Sequence, residues 1–278
     1  MYQRRNVRRG GRGCGLSTGR IVIGLVIAAV SLFSYFSNQS ENPITGETQH
    51  IDITAEQEIA MGLQAAPELA GQFGGLDANE ADRALVSQIG QQIVSSSAAS
   101  QTPYEFEFHL LADPETINAF ALPGGQIFIT RALFDRLNQE GELAGVLGHE
   151  IGHVVARHSA EHIAKARLTE GLTGAAVIAS YDPNNPATAS AAQVAMVVGQ
   201  LVNMKYGRED ELESDFLGVC FMEDAGYDPS QLLRVMEVLA EASGGGGQPE
   251  FLSTHPDPGN RMERIQEAIQ NTDQCPGR

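Results

Sequence analysis

Cysteine is scarce in this sequence, and its placement excludes two kinds of site. Cys14, Cys220 and Cys275 have neither zinc-ribbon nor redox-pair spacing. A Cys220–Cys275 disulfide is open to an exported protein, but two unpaired thiols are the plainer expectation. Basic residues are scarce beyond the first forty positions. Residues 1–40 hold six arginines and no acid, so the rest of the chain sets 12 basic residues against 35 acidic ones, a charge of -23. A body this acidic does not bind nucleic acid through its general field. Long apolar runs are few as well. The two apolar stretches between Gly171 and Val202, split by Tyr181-Asp182-Pro183-Asn184-Asn185-Pro186, are each too short to cross a bilayer. They read as two packed helices joined by a loop, with a mobile lid beside the cleft as the functional alternative.

What is present begins with one long apolar run, Ile21 to Ser37, next to the arginine cluster. Its seventeen residues rise about 25 Å as a helix, just enough to span a bilayer. Positive charge stays on the cytoplasmic side, so the body is expected outside the cytoplasm, most simply in a bacterial periplasm. The run ends in Phe33, Tyr35 and Phe36 without an Ala-x-Ala-like site, which favours an uncleaved anchor over a signal peptide. The expected division is a basic cytoplasmic tail (1–20), an anchor or signal (21–37), a linker (38–50) and a catalytic body (51–272).

Within the body, Thr54-Ala55-Glu56-Gln57 is a capping box opening a helix to about Leu69. A second helix follows from about Asp77 to Ser96, and Ser95 to Thr102 is a polar break. Tyr104 to Leu110 alternates as a half-buried strand, in which His109 is a structural or surface histidine. Asn118 to Leu122 and Gln126 to Thr130 are two more strands about a Pro123-Gly124-Gly125 turn. A free edge here could pair with an extended peptide. Arg131 to Leu137 is a short helix. A longer one, capped by Asn138, runs to about Leu168 with Leu143, Val146, Leu147, Ile151, Val154 and Val155 as its apolar face. The class is α+β and predominantly helical.

That longer helix carries Gly148-His149-Glu150-Ile151-Gly152-His153. Two histidines four apart share one helix face, so His149 and His153 can reach one metal ion. Glu150 is placed to hold a water against that ion. Gly145, Gly148 and Gly152 are costly in a helix and point to close packing there. His158 and His162 repeat the spacing, but His158 falls about 180° from His149 on a continuous helix, so both read as surface residues. Catalytic zinc wants three protein ligands and an open place. Glu209, Asp210, Glu211, Glu213 and Asp215 all offer a carboxylate, and spacing alone does not choose among them.

His149-Glu150-x-x-His153 followed by Glu211-x-x-x-Asp215 resembles the membrane-associated zinc metallopeptidases (gluzincins) of the HtpX and CAAX-prenyl-endopeptidase type. It is nearer to their single-anchor relatives of bacterial periplasm and mitochondria. Further matches are Asn118-Ala119-Phe120-Ala121 with Pro123-Gly124-Gly125, Ala225-Gly226-Tyr227-Asp228-Pro229, and Ser253-Thr254-His255-Pro256 with Arg261. The match covers roughly 50–270. It implies a zincin-like fold with a small sheet beside the motif helix, and one zinc per chain held by His149, His153 and Glu211. It further implies that Glu150 is the base, that Asp215 orients a ligating histidine or assists proton transfer, and that His255 and Arg261 approach the cleft to gate it or steady an oxyanion. The implied activity is endopeptidase cleavage of misfolded or unassembled envelope polypeptides. The rival is a membrane-tethered, zinc-binding, chaperone-like module without proteolysis. The several membrane spans of the HtpX type and a C-terminal helical-repeat extension are not seen in this sequence, so docking through such repeats is not expected.

Overall fold

The computed structural model describes residues 18–180, 206–243, 249–256 and 259–277. The Tyr181–Pro186 break, the second apolar stretch after it, Cys14 and Asp257-Pro258 lie outside the described residues.

The chain divides into two units. The first comprises residues 1–34 and 167–201. Its described part is most of helix α1 (Thr18–Ser37) and the end of α6 (His158–Ser180). These pack through small residues: a Cβ on Gly24 would stand 2.7 Å from the Ala175 carbonyl oxygen. Among the described residues, α1 is the one helix long and apolar enough to cross a membrane. Val22, Leu25, Val30 and Phe33 on it are exposed.

The second unit comprises residues 35–166 and 202–278. Residues 38–50, expected as a linker, instead form a hairpin of β1 (Gln39–Glu41) and β2 (Thr48–His50). Asn42 and Gln49 are nearly buried in it, and the polar composition that suggested a linker serves contacts described below. Helix α2 (Ala55–Gln72) starts on the expected capping box, with Thr54 accepting from the Gln57 amide and Gln57 accepting from that of Thr54. Helix α3 (Glu80–Ser96) is capped by Asn79. The polar break after it carries a 3-10 turn at Ala98–Gln101.

Strands β3 (Glu107–Leu111), β4 (Ala119–Ala121) and β5 (Gln126–Thr130) form one sheet in the order β3-β5-β4, with β3 parallel and β4 antiparallel to β5. The strand that leads toward the motif is therefore central, and the edge beside the motif helix belongs to β4. Gly124 (φ 83°) and Gly125 (φ 107°) turn the chain from β4 to β5. Helix α2 lies so close over this turn that a Cβ on Gly124 would strike the Ile59 backbone. His109 bonds Gln126 and stacks on Phe128, the structural role expected of it.

After the single turn α4 (Arg131–Phe134), helix α5 (Glu140–Val155) runs through the core, buried from Glu142 onward. Its N-cap is Gln139 without a side-chain bond; Asn138 instead donates its amide to Glu142. Around α5 pack α3, α7 (Arg208–Asp224) and α8 (Gln231–Ser243), and α10 (Arg261–Gln270) packs on α7 and α8. Gly226 (φ 81°) ends α7, and the Tyr227 amide closes back on the Met222 carbonyl. Cys220 in α7 and Cys275 near the end are joined as a disulfide, against the plainer expectation of free thiols. The folded helices bring their Cα atoms to 5.5 Å, which a separation of 55 residues did not foretell.

Helix α5 does not continue to Leu168. It stops at Val155, and Arg157 takes φ 57°, alone among the described non-glycine residues in that region. Three side chains stabilise the break. Asn42 donates to the Val155 carbonyl at 2.9 Å, Gln49 donates to that of Ala156, and Arg157 pairs with the buried Glu58 and donates to the Ile53 carbonyl. Tyr104 also donates to Glu58. Helix α6 therefore leaves in a new direction.

Candidate metal centre

The site is made where α5 and α7 touch. Their approach depends on residues without bulk. A Cβ on Gly152 would lie 2.9 Å from the Ser214 carbonyl oxygen, and one on Gly148 would lie 3.3 Å from that of Gly218. This close packing is what the three helical glycines suggested. It sets Glu211 and Asp215, one turn apart on α7, directly against the histidines of α5.

His149, His153, Glu211 and His255 each offer one ligand atom, and these atoms lie within 4.8 Å of one another. All four residues are buried. His149 Nε2 and His153 Nε2 are 3.1 Å apart, and His255 Nδ1 lies 3.3 Å and 3.1 Å from them. Glu211 completes the group: Oε1 is 3.0 Å from His255 Nδ1 and 3.5 Å from His153 Nε2, and Oε2 is 3.5 Å from His149 Nε2.

The donor set fits a divalent cation. Ligands held tetrahedrally at zinc distances stand about 3.3 Å from each other, close to the separations found. His149 Nδ1 is 2.9 Å from Asp215 Oδ1, which places its proton there and a lone pair on Nε2. Imidazole lone pairs turned toward one another in a buried cluster repel unless a cation or a proton lies between them.

Around these donors stands a buried polar frame. Arg261, 2 % exposed, donates from Nε and Nη2 to the two oxygens of Asp215 at 2.6 Å and 2.8 Å. Its Nη1 is 3.2 Å from Glu211 Oε2. Arg261 is thus turned to the two carboxylates of α7. Tyr206 stacks on His153 with ring centres 4.1 Å apart, and its amide bonds the Thr254 carbonyl beside His255. Glu150 is fully buried, neither of its oxygens accepts a hydrogen bond, and Oε1 is 3.6 Å from His255 Nε2.

Burial dominates the ionisation of these groups, and neighbours then divide them. Burial pushes the Glu150 carboxyl above its ordinary range, with His255 and His149 opposing. Burial also acts to raise Glu211, but His255 and His153 hold it well below the carboxylate range. Asp215 is likewise held low, by Arg261 and His149 against burial. Two carboxyls so pushed apart suit different tasks, one taking a proton and one staying charged.

Every candidate residue, His149, Glu150, His153, Glu211, Asp215, His255 and Arg261, comes to this one place. Of the two histidines read as surface residues, His158 is buried and His162 is partly exposed. His158 is 1 % exposed and lies behind His153, and His162 bonds Asp210, holding that carboxyl down at about 2 against the effect of burial. The 180° argument assumed a continuous helix, and the break at Arg157 removes its basis. No sequence signal marked that break, since arginine is a good helix former. Tyr206 was also missed, and a lone tyrosine after an apolar stretch carries no signal.

Residues 80–269 match the model of Peptidase family M48. The chain belongs to that family. As an M48 peptidase it is a metal-dependent hydrolase of peptide bonds with a zincin-like, mostly helical fold, as the motifs implied. It is similar to mitochondrial metalloendopeptidase OMA1 of Schizosaccharomyces pombe, 31% identical over 249 residues that cover 88% of this chain and 71% of the other. It is also similar to the beta-barrel assembly-enhancing protease of Escherichia coli K12, 27% identical over 256 residues. That match takes in 87% of this M48 peptidase but half the length of the relative. A shorter match of 159 residues, 33% identical, joins it to OMA1 of Arabidopsis thaliana.

Proposed function

We propose that this M48 peptidase is an anchored zinc endopeptidase in which His149, His153 and Glu211 hold one zinc ion and Glu150 is the general base. The observation that supports it best is the convergence of two imidazoles from α5 and a carboxylate from α7 on one buried point beside Glu150. When bound, zinc supplies Lewis acidity toward water and the scissile carbonyl.

The protein's own groups do the rest. Glu150 takes a proton from the attacking water and returns it to the leaving amine, and its carboxylate, free of other hydrogen bonds, is available for both transfers. Asp215 keeps the His149 proton on Nδ1, and Arg261 keeps Asp215 in place. Arg261 is therefore a positioning residue in this reading rather than a direct partner of the oxyanion. His255 is the gate. Its Nδ1 stands as near the cluster as the other donors and would occupy the place that water and peptide need, so this imidazole would withdraw to admit them. An extended peptide would pair with the β4 edge, Ala119–Ala121, beside α5.

In the same reading α1 is an uncleaved anchor, the residues before it are a basic cytoplasmic tail, and residues 51–272 are the catalytic body, with the hairpin of residues 38–50 packed on it. The arginine cluster before α1 and a disulfide in the body both support a body outside the cytoplasm, in the manner of the single-anchor periplasmic type. Misfolded or unassembled envelope proteins are the substrate class of this reading, and the name of the beta-barrel assembly-enhancing relative supports a link to protein assembly.

The test compares wild type with Glu150→Gln for zinc content and for new peptide termini in an envelope protein mixture, with and without chelator. The variant is expected to keep one zinc per chain and to lose cleavage by about 100-fold or more. Full cleavage by Glu150→Gln, or cleavage by wild type that chelation leaves intact, would overturn the reading. Zinc-loaded wild type that cleaves nothing would favour the chaperone-like rival.

A further inference from the structure

The roles above leave one buried histidine unused. His158 opens α6, just past the break that ends the motif helix, and it is 1 % exposed. Its Nδ1 is 2.8 Å from His153 Nδ1, and its Nε2 is 3.1 Å from Glu213 Oε2.

The proton positions in this chain follow from one requirement. A ring nitrogen that holds a cation through its lone pair carries no proton. His153 directs Nε2 to the donor cluster, so its proton sits on Nδ1 and is donated to His158 Nδ1. His158 Nδ1 must then accept, which puts its own proton on Nε2, facing the Glu213 carboxylate. Ser214 Oγ also lies near that accepting nitrogen, at a longer 3.3 Å.

His149 and His153 are thus supported alike but by different means. Behind His149 stands a carboxylate directly, Asp215. Behind His153 stands a carboxylate one imidazole away, Glu213 through His158. Tyr206 holds the plane of the His153 ring by stacking, but stacking neither selects a tautomer nor sets rotation within that plane. The outward hydrogen bond does both.

We propose that His158 is a positioning residue for His153, fixing its tautomer and linking it to the Glu213 carboxylate. The inference rests on the reading of His153 as a metal ligand. The contacts at the helix break serve this placement. Asn42 and Gln49 on the last α5 carbonyls, and Glu58 on Arg157, turn the chain so that the next residue falls behind the ring. A helix continued through Arg157 would carry His158 to the far side.

The test uses the full chain in detergent, loaded with zinc or cobalt. Zinc affinity is read by chelator competition, and the ligand field by the visible spectrum of the cobalt form. His158→Leu is expected to bind zinc about 10- to 100-fold more weakly and to shift the cobalt bands. His158→Asn, whose side-chain oxygen can accept near the Nδ1 position, is expected to recover most of the affinity. Glu213→Gln, on a partly exposed residue that tolerates change, should fall between wild type and His158→Leu and also shift the bands. His109→Gln, in the sheet and bonded to Gln126 rather than to the donor cluster, should leave both readings unchanged.

Folded His158→Leu with wild-type affinity and spectrum would overturn the proposal, as would His158→Asn binding no better than His158→Leu. If the leucine variant does not fold, an unchanged Glu213→Gln overturns it instead. Undiminished zinc binding by His153→Ala is a different result, because it removes His153 from the ligand set and with it the proposed function.

Discussion

Replacing Gly152 by alanine adds one methyl group and should damage both fold and metal binding. The new Cβ would lie 2.9 Å from the Ser214 carbonyl oxygen and 3.1 Å from Ser214 Cα, both backbone atoms that cannot rotate aside. Relief to ordinary contact requires α5 and α7 to separate by about 0.5 Å. Ser214 lies between Glu211 and Asp215, so both carboxylates would retreat from the histidines together. Metal sites tolerate displacements of only about 0.2 Å, and zinc affinity should therefore fall about tenfold or more. Overpacking of this kind costs about 1–3 kcal/mol of stability, set against about 1 kcal/mol gained from alanine's better helix propensity. Gly71 in α2 isolates the clash, because a Cβ there meets nothing within 4 Å. Gly71→Ala gains the same propensity without the contact, so the two variants should differ by about 1–3 kcal/mol. Urea unfolding of the metal-free proteins and chelator competition of the loaded ones provide the readings. Equal stability of the two variants, with wild-type zinc affinity for Gly152→Ala, would refute the claim that this helix contact sets the site.

Other consequences can be checked alongside. Arg261→Met leaves Asp215 and Glu211 buried without their cation and should cost about 3–5 kcal/mol in urea unfolding. Replacing Cys220 and Cys275 by alanine opens a loop of 55 residues, which chain entropy values at about 4 kcal/mol, read as a lower midpoint under oxidising conditions and no change under reduction. Arg131 holds Asp77 below the ordinary carboxylate range. A carboxyl lowered on folding contributes stability above its unfolded pKa, about 3.9, and loses it as pH falls through the lower folded value. The stability gap between wild type and Arg131→Met should therefore be full near pH 6 and shrink below about pH 4. A gap of constant size would remove Asp77 from the account.

The linear order of residues determined what could be decided locally. Helical spacing put His149 and His153 on one face, the capping box at Thr54 began α2 where expected, and alternation marked β3. These are effects between neighbours a few positions apart, and no folded partner is needed to recognise them. The motif set also carried the family, because its chemistry is borne by a few residue types in a strict order.

Tertiary structure decided the rest. Five acids at the start of α7 were equivalent by spacing, and the resemblance alone singled out Glu211 and Asp215; the packing of Gly152 on Ser214 is what sets these two carboxylates against the histidines. His255, about a hundred residues away in sequence, became a fourth donor only through the docking of α9 (Glu250–Thr254). The strand leading to α5 took the middle of its sheet, leaving the edge to β4. The positive φ of Arg157, imposed by Glu58 and the hairpin amides, turned a histidine expected in solvent into a support for the site. In each case the deciding contact joins segments distant in sequence, whose energies no local pattern records.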